Sequence, residues 1–248
     1  RLEKKLIANE EFWKLRQWNY MHDGKDDFKP ATPWLWSCIE SRYSDVMDSY
    51  PTCNIMPRQM DDKGEAKILS SILPVIFEQN RYEETYSDVA RYTLKNGGGV
   101  QGIFWDAKKH NGLGDIAIKK IDFINLFWEP GITDIQESAN VFHTELVTKE
   151  ILEQKYPQCK GKLGGKSITL AKYLYDDHVD TENKHTVVDV YYHKYVQGRK
   201  TLQYCKFVGD QVLHATENVP EMAMRGLYDH GKYPYVFDPL FRMKGTPC

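Results

Sequence analysis

With 248 residues, 41% of them hydrophobic and 13% aromatic, the chain has ordinary globular composition and enough apolar side chains for a sizeable core. Its 33 Lys and Arg against 35 Asp and Glu leave a net charge of −2, which excludes coating nucleic acid through overall basicity but leaves room for a local basic stripe. Five cysteines (Cys38, Cys53, Cys159, Cys205 and Cys248) form no C-x-x-C pair, which argues against a zinc ribbon or a thioredoxin-like site and for reduced thiols.

No apolar run reaches the roughly 20 residues that span a bilayer, and neither a signal peptide nor a membrane partner is expected. The chain starts at Arg1 without a Met and ends at Cys248 without a polar tail, so it reads as a fragment of a longer protein.

Leu2, Leu6, Phe12, Trp13, Leu15 and Trp18 recur at mostly helical spacing, predicting an amphipathic helix over residues 2–20. A charged linker follows from Met21 to Pro30. Thr32 as N-cap and Pro33 at the first helical position predict a helix over 33–48, with Leu35, Ile39, Tyr43, Val46 and Met47 on one face. Tyr50-Pro51 ends it, because the residue before proline leaves the α region. After an extended stretch to Pro57, Asp62-Lys63-Gly64-Glu65 has capping-box spacing with Asp in the cap role. The next helix carries Ala66, Leu69, Ile72, Leu73, Ile76 and Phe77, with Pro74 expected to kink it. Another, over about 81–95, ends at Asn96-Gly97-Gly98-Gly99.

The character then turns to β. Val100–Trp105 and Asp115–Ile121 are strand-like, with Asn111-Gly112 between them as a hairpin signal. Phe123–Trp128 and Asn140–Val147 are further candidates. Thr148–Tyr156 reads as a short helix stopped by Pro157, and Ile168–Tyr175 as another. Thr186–Val196, Lys200–Val208 and Gln211–Ala215, with turns at Gln197-Gly198-Arg199 and Gly209-Asp210, predict an antiparallel meander. Helices first and strands later define an α+β fold with a mostly antiparallel sheet. The expected organisation is an N-terminal helix and linker over 1–30, then one α+β domain over 31–248.

Two segments imitate catalytic motifs. Gly161-Lys162-Leu163-Gly164-Gly165-Lys166-Ser167 resembles a phosphate-binding loop, but Lys160 stands where its first glycine belongs. A helix end and turn precede it, so a basic surface loop is the simpler reading. Asp176-Asp177-His178-Val179-Asp180-Thr181-Glu182-Asn183-Lys184-His185 is dense in possible metal ligands, yet lacks the calcium-loop pattern and any H-E-x-x-H. A solvated loop suffices there. A phosphate-binding or metal-dependent hydrolase using residues 160–185 is the alternative function, and a binding module built on the sheet is a third.

His143, His193 and His214 lie in strand-like segments and read as half-buried packing residues. The doublets Lys4-Lys5, Lys108-Lys109 and Lys119-Lys120 read as solvated faces. No catalytic, cofactor-binding or metal-ligating residue is assigned, and no cofactor is expected. Trp34 and Trp36 cannot both face the same side of one helix, so one of the two is a candidate anchor for a subunit interface.

Three segments together resemble the portal proteins of tailed bacteriophages and prophages in their long-chain form. They are Ile39-Glu40-Ser41-Arg42-Tyr43-Ser44-Asp45-Val46-Met47-Asp48-Ser49-Tyr50-Pro51, then Asn125-Leu126-Phe127-Trp128-Glu129-Pro130-Gly131 preceded by Gly112-Leu113-Gly114-Asp115-Ile116, then Phe237-Asp238-Pro239-Leu240-Phe241 with Gly245-Thr246-Pro247-Cys248. The resemblance rests on order and combined pattern, since none of the three is a chemical motif. It implies a structural ring subunit, commonly one of twelve, and not an enzyme. It also implies a channel for double-stranded DNA at the capsid portal vertex of the virion, and a stay in the host cytoplasm during assembly. The implied partners are the terminase large subunit, scaffold or capsid protein, and head-completion (head–tail connector) proteins. In that scheme the chain is the first part of the wing region, with stem, clip and crown expected beyond Cys248.

Overall fold

The computed structural model describes residues 2–19, 30–132, 134–163 and 183–241. The linker expected at 21–30 therefore lies outside the described residues except for Pro30, as do most of the acidic run and the helix expected at 168–175. The chain divides into two compact units, one of residues 8–120 with 234–241, the other of residues 121–233 with the chain's first residues.

The first unit is helices followed by a small sheet. Helix α1 (Leu2–Trp13) is shorter than its apolar periodicity predicts. Leu15 takes a left-handed φ of 58°, which ends the regular ladder and leaves only a short 3-10 turn at Gln17–Asn19. Lys95, from the end of another helix, reaches back to Glu10 at 2.5 Å, an almost fully buried ion pair.

Helix α2 (Trp34–Asp48) is capped by Pro33 rather than Thr32, whose carbonyl instead accepts from the Trp34 N–H. Helix α3 (Lys63–Gln79) runs on through Pro74. Asp62 does occupy its cap position, but with helical φ and ψ, and its carboxylate accepts from the Gln59 N–H instead of the helix. A cap needs extended backbone to aim its side chain at the first turn, so the capping box does not form. Helix α4 (Tyr82–Asn96) ends as its glycines predict, with Gly97 at φ 85° donating its N–H to Thr93.

Strand β1 (Gly98–Asp106) is the middle of a three-stranded sheet, between β2 (Asp115–Ile121) and β8 (Tyr235–Pro239). The β1–β2 link is not the two-residue hairpin suggested by Asn111-Gly112. A one-turn helix, α5 (Lys109–Gly112), fills it, with His110 and Asn111 both left-handed. Lys109 fastens this turn by donating to the Asn80 side chain and the Ile116 carbonyl, each at 2.7 Å. Strand β8 pairs antiparallel with β1, Gly98 opposite Pro239 and Gly102 opposite Tyr235.

The second unit is built on a five-stranded antiparallel sheet in the order β3-β4-β5-β6-β7. Its strands are β3 (Leu126–Trp128), β4 (Asn140–Thr148), β5 (Lys184–Val196), β6 (Arg199–Val208) and β7 (Gln211–Ala215). The last three follow the meander read from the sequence, because Gln197, Gly198 and Gly209 supply the positive φ that tight turns require. Phe123–Asn125, expected as strand, is a 3-10 turn.

Helix α6 (Lys149–Lys155) packs Leu152 with Cys159, Leu163, Val187, Val208 and Leu213 into an apolar cluster. Helix α7 (Pro220–Arg225) ends at Gly226, whose φ of 89° and ψ of 178° only glycine adopts easily. A Cβ there would lie 2.8 Å from the Leu202 carbonyl oxygen. Gln136 ties the unit's far segments together: its side-chain amide accepts from the Tyr233 N–H at 2.9 Å and donates to the Tyr233 carbonyl at 3.1 Å. The architecture is thus α+β, with N-terminal helices followed by antiparallel sheets.

Candidate assembly surface

Helix α3 is apolar on two sides. Its inner stripe, Ala66, Leu73, Ile76 and Phe77, is buried or half-buried. Its outer stripe of Ile68, Leu69, Ile72 and Val75 is exposed, Ile68 by 60%. A soluble surface helix ordinarily turns charged and polar residues outward, and a helix apolar all round is usually buried. Helix α2 repeats the theme at its first turn, where Trp34 is 75% exposed and Trp36 48%. Only one of these two tryptophans was expected at the surface, yet both are there, with Leu35 exposed between them. Met56 and Met60, on the segment leading to α3, are also exposed.

At the other end of α2 lies a cleft of about 670 Å³ between α2, α3, α4 and the segment 50–53. Its walls are mainly aromatic. Phe77 and Tyr82 stack at 4.6 Å, and Tyr50 meets the edge of Tyr86 at 5.5 Å. Tyr43 is pinned from two directions: its hydroxyl shares a 2.7 Å hydrogen bond with Ser87, and the Arg91 guanidinium lies 3.9 Å from its ring centre. Arg91 in turn sits 3.4 Å from Glu40. Burial pushes the Tyr50 phenol above its ordinary range, and the neighbours Tyr82, Glu83 and Tyr86 add to that effect. Tyr86 is raised by burial first and then by Asp238 and Tyr82. Glu78, Glu83 and Glu84 line the same cleft with Arg81, so its polar rim is mostly acidic.

The second unit holds a row of polar residues across its sheet that strand periodicity did not reveal. His143 pairs in register with Asp189, Asp189 with Lys206, and Lys206 with His214. Asp189 takes the Tyr204 hydroxyl at 2.6 Å and Lys206 Nζ at 3.1 Å, while His143 Nδ1 stands at 3.7 Å, ion-pair rather than hydrogen-bond distance. Burial favours the neutral acid, but His143, Lys206 and Tyr204 together outweigh it and hold Asp189 below the usual carboxylate range. The same burial, with Asp189 beside it, pushes the Tyr204 phenol far up. His193 donates through Nε2–H to the Gly231 carbonyl oxygen at 3.0 Å, and burial lowers its pKa. His143, His193 and His214 are all half-buried.

The residues that imitated a phosphate loop are only partly described. Leu163 is buried in the apolar cluster with Leu152, and Gly161 follows the 3-10 turn Pro157–Cys159, not a strand. Residues 164–182 lie outside the described residues, so Lys166, Ser167 and most of the acidic run have no place here. Among the described residues, no three His, Cys, Asp or Glu side chains are grouped to hold a metal ion. Cys38, Cys53, Cys159 and Cys205 are free thiols. No helix among the described residues is long and apolar enough to cross a membrane.

Helices α2 and α3 thus turn apolar and aromatic side chains outward, the kind of surface that another protein chain ordinarily covers. The family model of the phage P22-like portal protein matches residues 44–232, most of the chain, and the chain belongs to that family. Among curated proteins, none matches it in sequence. The family is structural, which gives the chain a structural role in the phage portal.

Proposed function

We propose that the chain is a subunit of the portal ring, commonly of twelve copies, at the capsid vertex of a virion. The ring forms the channel for packaging and ejecting double-stranded DNA. It docks the terminase large subunit during packaging and head-completion proteins afterwards, and it meets scaffold or capsid protein while heads assemble in the host cytoplasm. Residues 31–248 serve as the wing-like part of the subunit, after the helix and linker of residues 1–30. The chain itself has no catalytic role.

The observation that carries this reading is the family match over 44–232. The outward apolar stripe of α3 supports it, because such a surface is usual where another protein chain covers it. Negative-stain electron microscopy of the full chain as its gene encodes it tests the reading. Rings with a central channel are expected. A protein that stays monomeric under gentle conditions would count against the ring, and tight nucleotide binding abolished by Lys166→Ala would favour a phosphate-handling enzyme instead.

A further inference from the structure

We propose that the tryptophan-bearing start of α2 in one copy seats in the aromatic cleft at the far end of α2 in the next copy. This rests on the ring reading above and adds the contact that joins neighbours.

The argument begins with symmetry. A closed ring of more than two identical subunits needs a head-to-tail contact, so each copy must carry two different, complementary patches. Helix α2 supplies both. Trp34, Leu35 and Trp36 project from its first turn into solvent. Tyr43 and Met47, nearer its other end, belong to the cleft wall. Nine to thirteen residues of helix separate the two, roughly 14–20 Å at 1.5 Å per residue. One copy therefore cannot place its own Trp34 in its own cleft without unwinding α2, whereas a neighbour can.

Shape and charge fit the same pairing. The cleft, at about 670 Å³, has room for more than one indole. An indole offers an apolar body and a single N–H donor. The cleft offers aromatic walls from Phe77, Tyr82 and Tyr50, rimmed by the carboxylates of Glu78, Glu83 and Glu84. Aromatic side chains entering desolvated pockets are the usual anchors of protein interfaces.

The test uses the full chain and two variants at exposed positions. Trp34→Asp with Trp36→Asp removes the inserting patch, and Thr52→Arg with Cys53→Arg obstructs the cleft. Each variant alone is expected to lose rings by sedimentation and microscopy, with the subunit contact weakened by about 30-fold or more. An equimolar mixture of the two should form dimers but no rings, because each mixed pair retains one intact contact and can extend no further. Circular dichroism should show both variants folded. As a check independent of variant folding, a peptide of residues 31–38 should block wild-type ring assembly, and the same peptide with both tryptophans replaced by Ser should not. Rings formed by either variant at wild-type yield, a folded mixture without dimers, or an inert wild-type peptide would each overturn the pairing. Variants that still form rings but lose an added terminase would assign the cleft to another partner, and overturn it too. A wild type that forms no rings would instead remove the portal-ring reading beneath it.

Discussion

Tyr204 donates its hydroxyl to Asp189 at 2.6 Å across the β5–β6 ladder, placing a phenol and a carboxylate in the middle of the second unit's sheet. Lys206 balances the charge from the next position on the same face of β6. A buried charge held by partners stabilises little on net, but removing one member leaves the others uncompensated.

Asp189→Asn is therefore expected to destabilise the fold by about 3 kcal/mol at neutral pH, because it leaves Lys206 without its anion. The pH dependence follows from the depressed folded pKa of Asp189. Its stabilisation is fully present above the unfolded carboxylate value, near 3.9, and drains away as pH falls through the lower folded value. Urea unfolding of wild type and variant should thus show a gap that is constant from pH 7 to about 5 and shrinks below pH 4. A gap unchanged at pH 3 would contradict this account.

Thr216 is fully buried and bonds three ways: it donates to Gln203 Oε1 at 2.6 Å and accepts from the Tyr204 N–H at 3.0 Å, with the Tyr204 carbonyl 3.2 Å away. Thr216→Val keeps the shape and strands both partners, so a loss of about 2 kcal/mol is expected. Thr216→Ser, which keeps the hydroxyl, should lose clearly less. Paired thermal melts of the two variants decide it.

Gly226→Ala puts a methyl into a backbone region reserved for glycine and against the Leu202 carbonyl oxygen. The expected cost is about 3 kcal/mol or more, from strain and the forced shift of β6 together. Amide exchange should speed up first at Leu227, whose N–H bonds the Leu202 carbonyl.

Glu10 and Lys95 form another nearly buried ion pair. Lys95→Met alone should cost about 3 kcal/mol, and the double change with Glu10→Leu should recover much of that loss. A double-mutant cycle by denaturant melts measures the coupling, and additive losses would show the pair to be independent.

The parts of the fold legible in the sequence are those decided locally. The strand-like run Thr186–Val196 and the turns at Gln197-Gly198 and Gly209-Asp210, with positive φ at Gln197, Gly198 and Gly209, anticipate β5 to β7 almost to the residue. Gly97 marks the end of α4 for the same reason. Errors arise where one backbone angle overrides a pattern. Leu15 stops α1 early, and helical angles at Asp62 turn a capping-box spacing into a different bond. Helix α7 went unread, since six residues after Pro220 carry too little periodicity to register.

The candidate site was half legible. Trp34 and Trp36 stood out by angular arithmetic on a helix, but the cleft could not, since its walls come from three helices and the segment 50–53. Asp189 escaped because a single acid in an apolar strand looks solvated until cross-strand register sets His143 and Lys206 beside it.

Strand β8 follows β1 by more than a hundred residues of chain, yet it completes the first unit's sheet by pairing with β1 from Gly98 to Gly102. During synthesis from the N-terminus, that side of β1 stays an open edge until Pro239 has been made. Such an edge is prone to mispairing, and closing so long a loop is slow. The helices that carry the tryptophans and the cleft are thus made well before the sheet beside them in sequence can close.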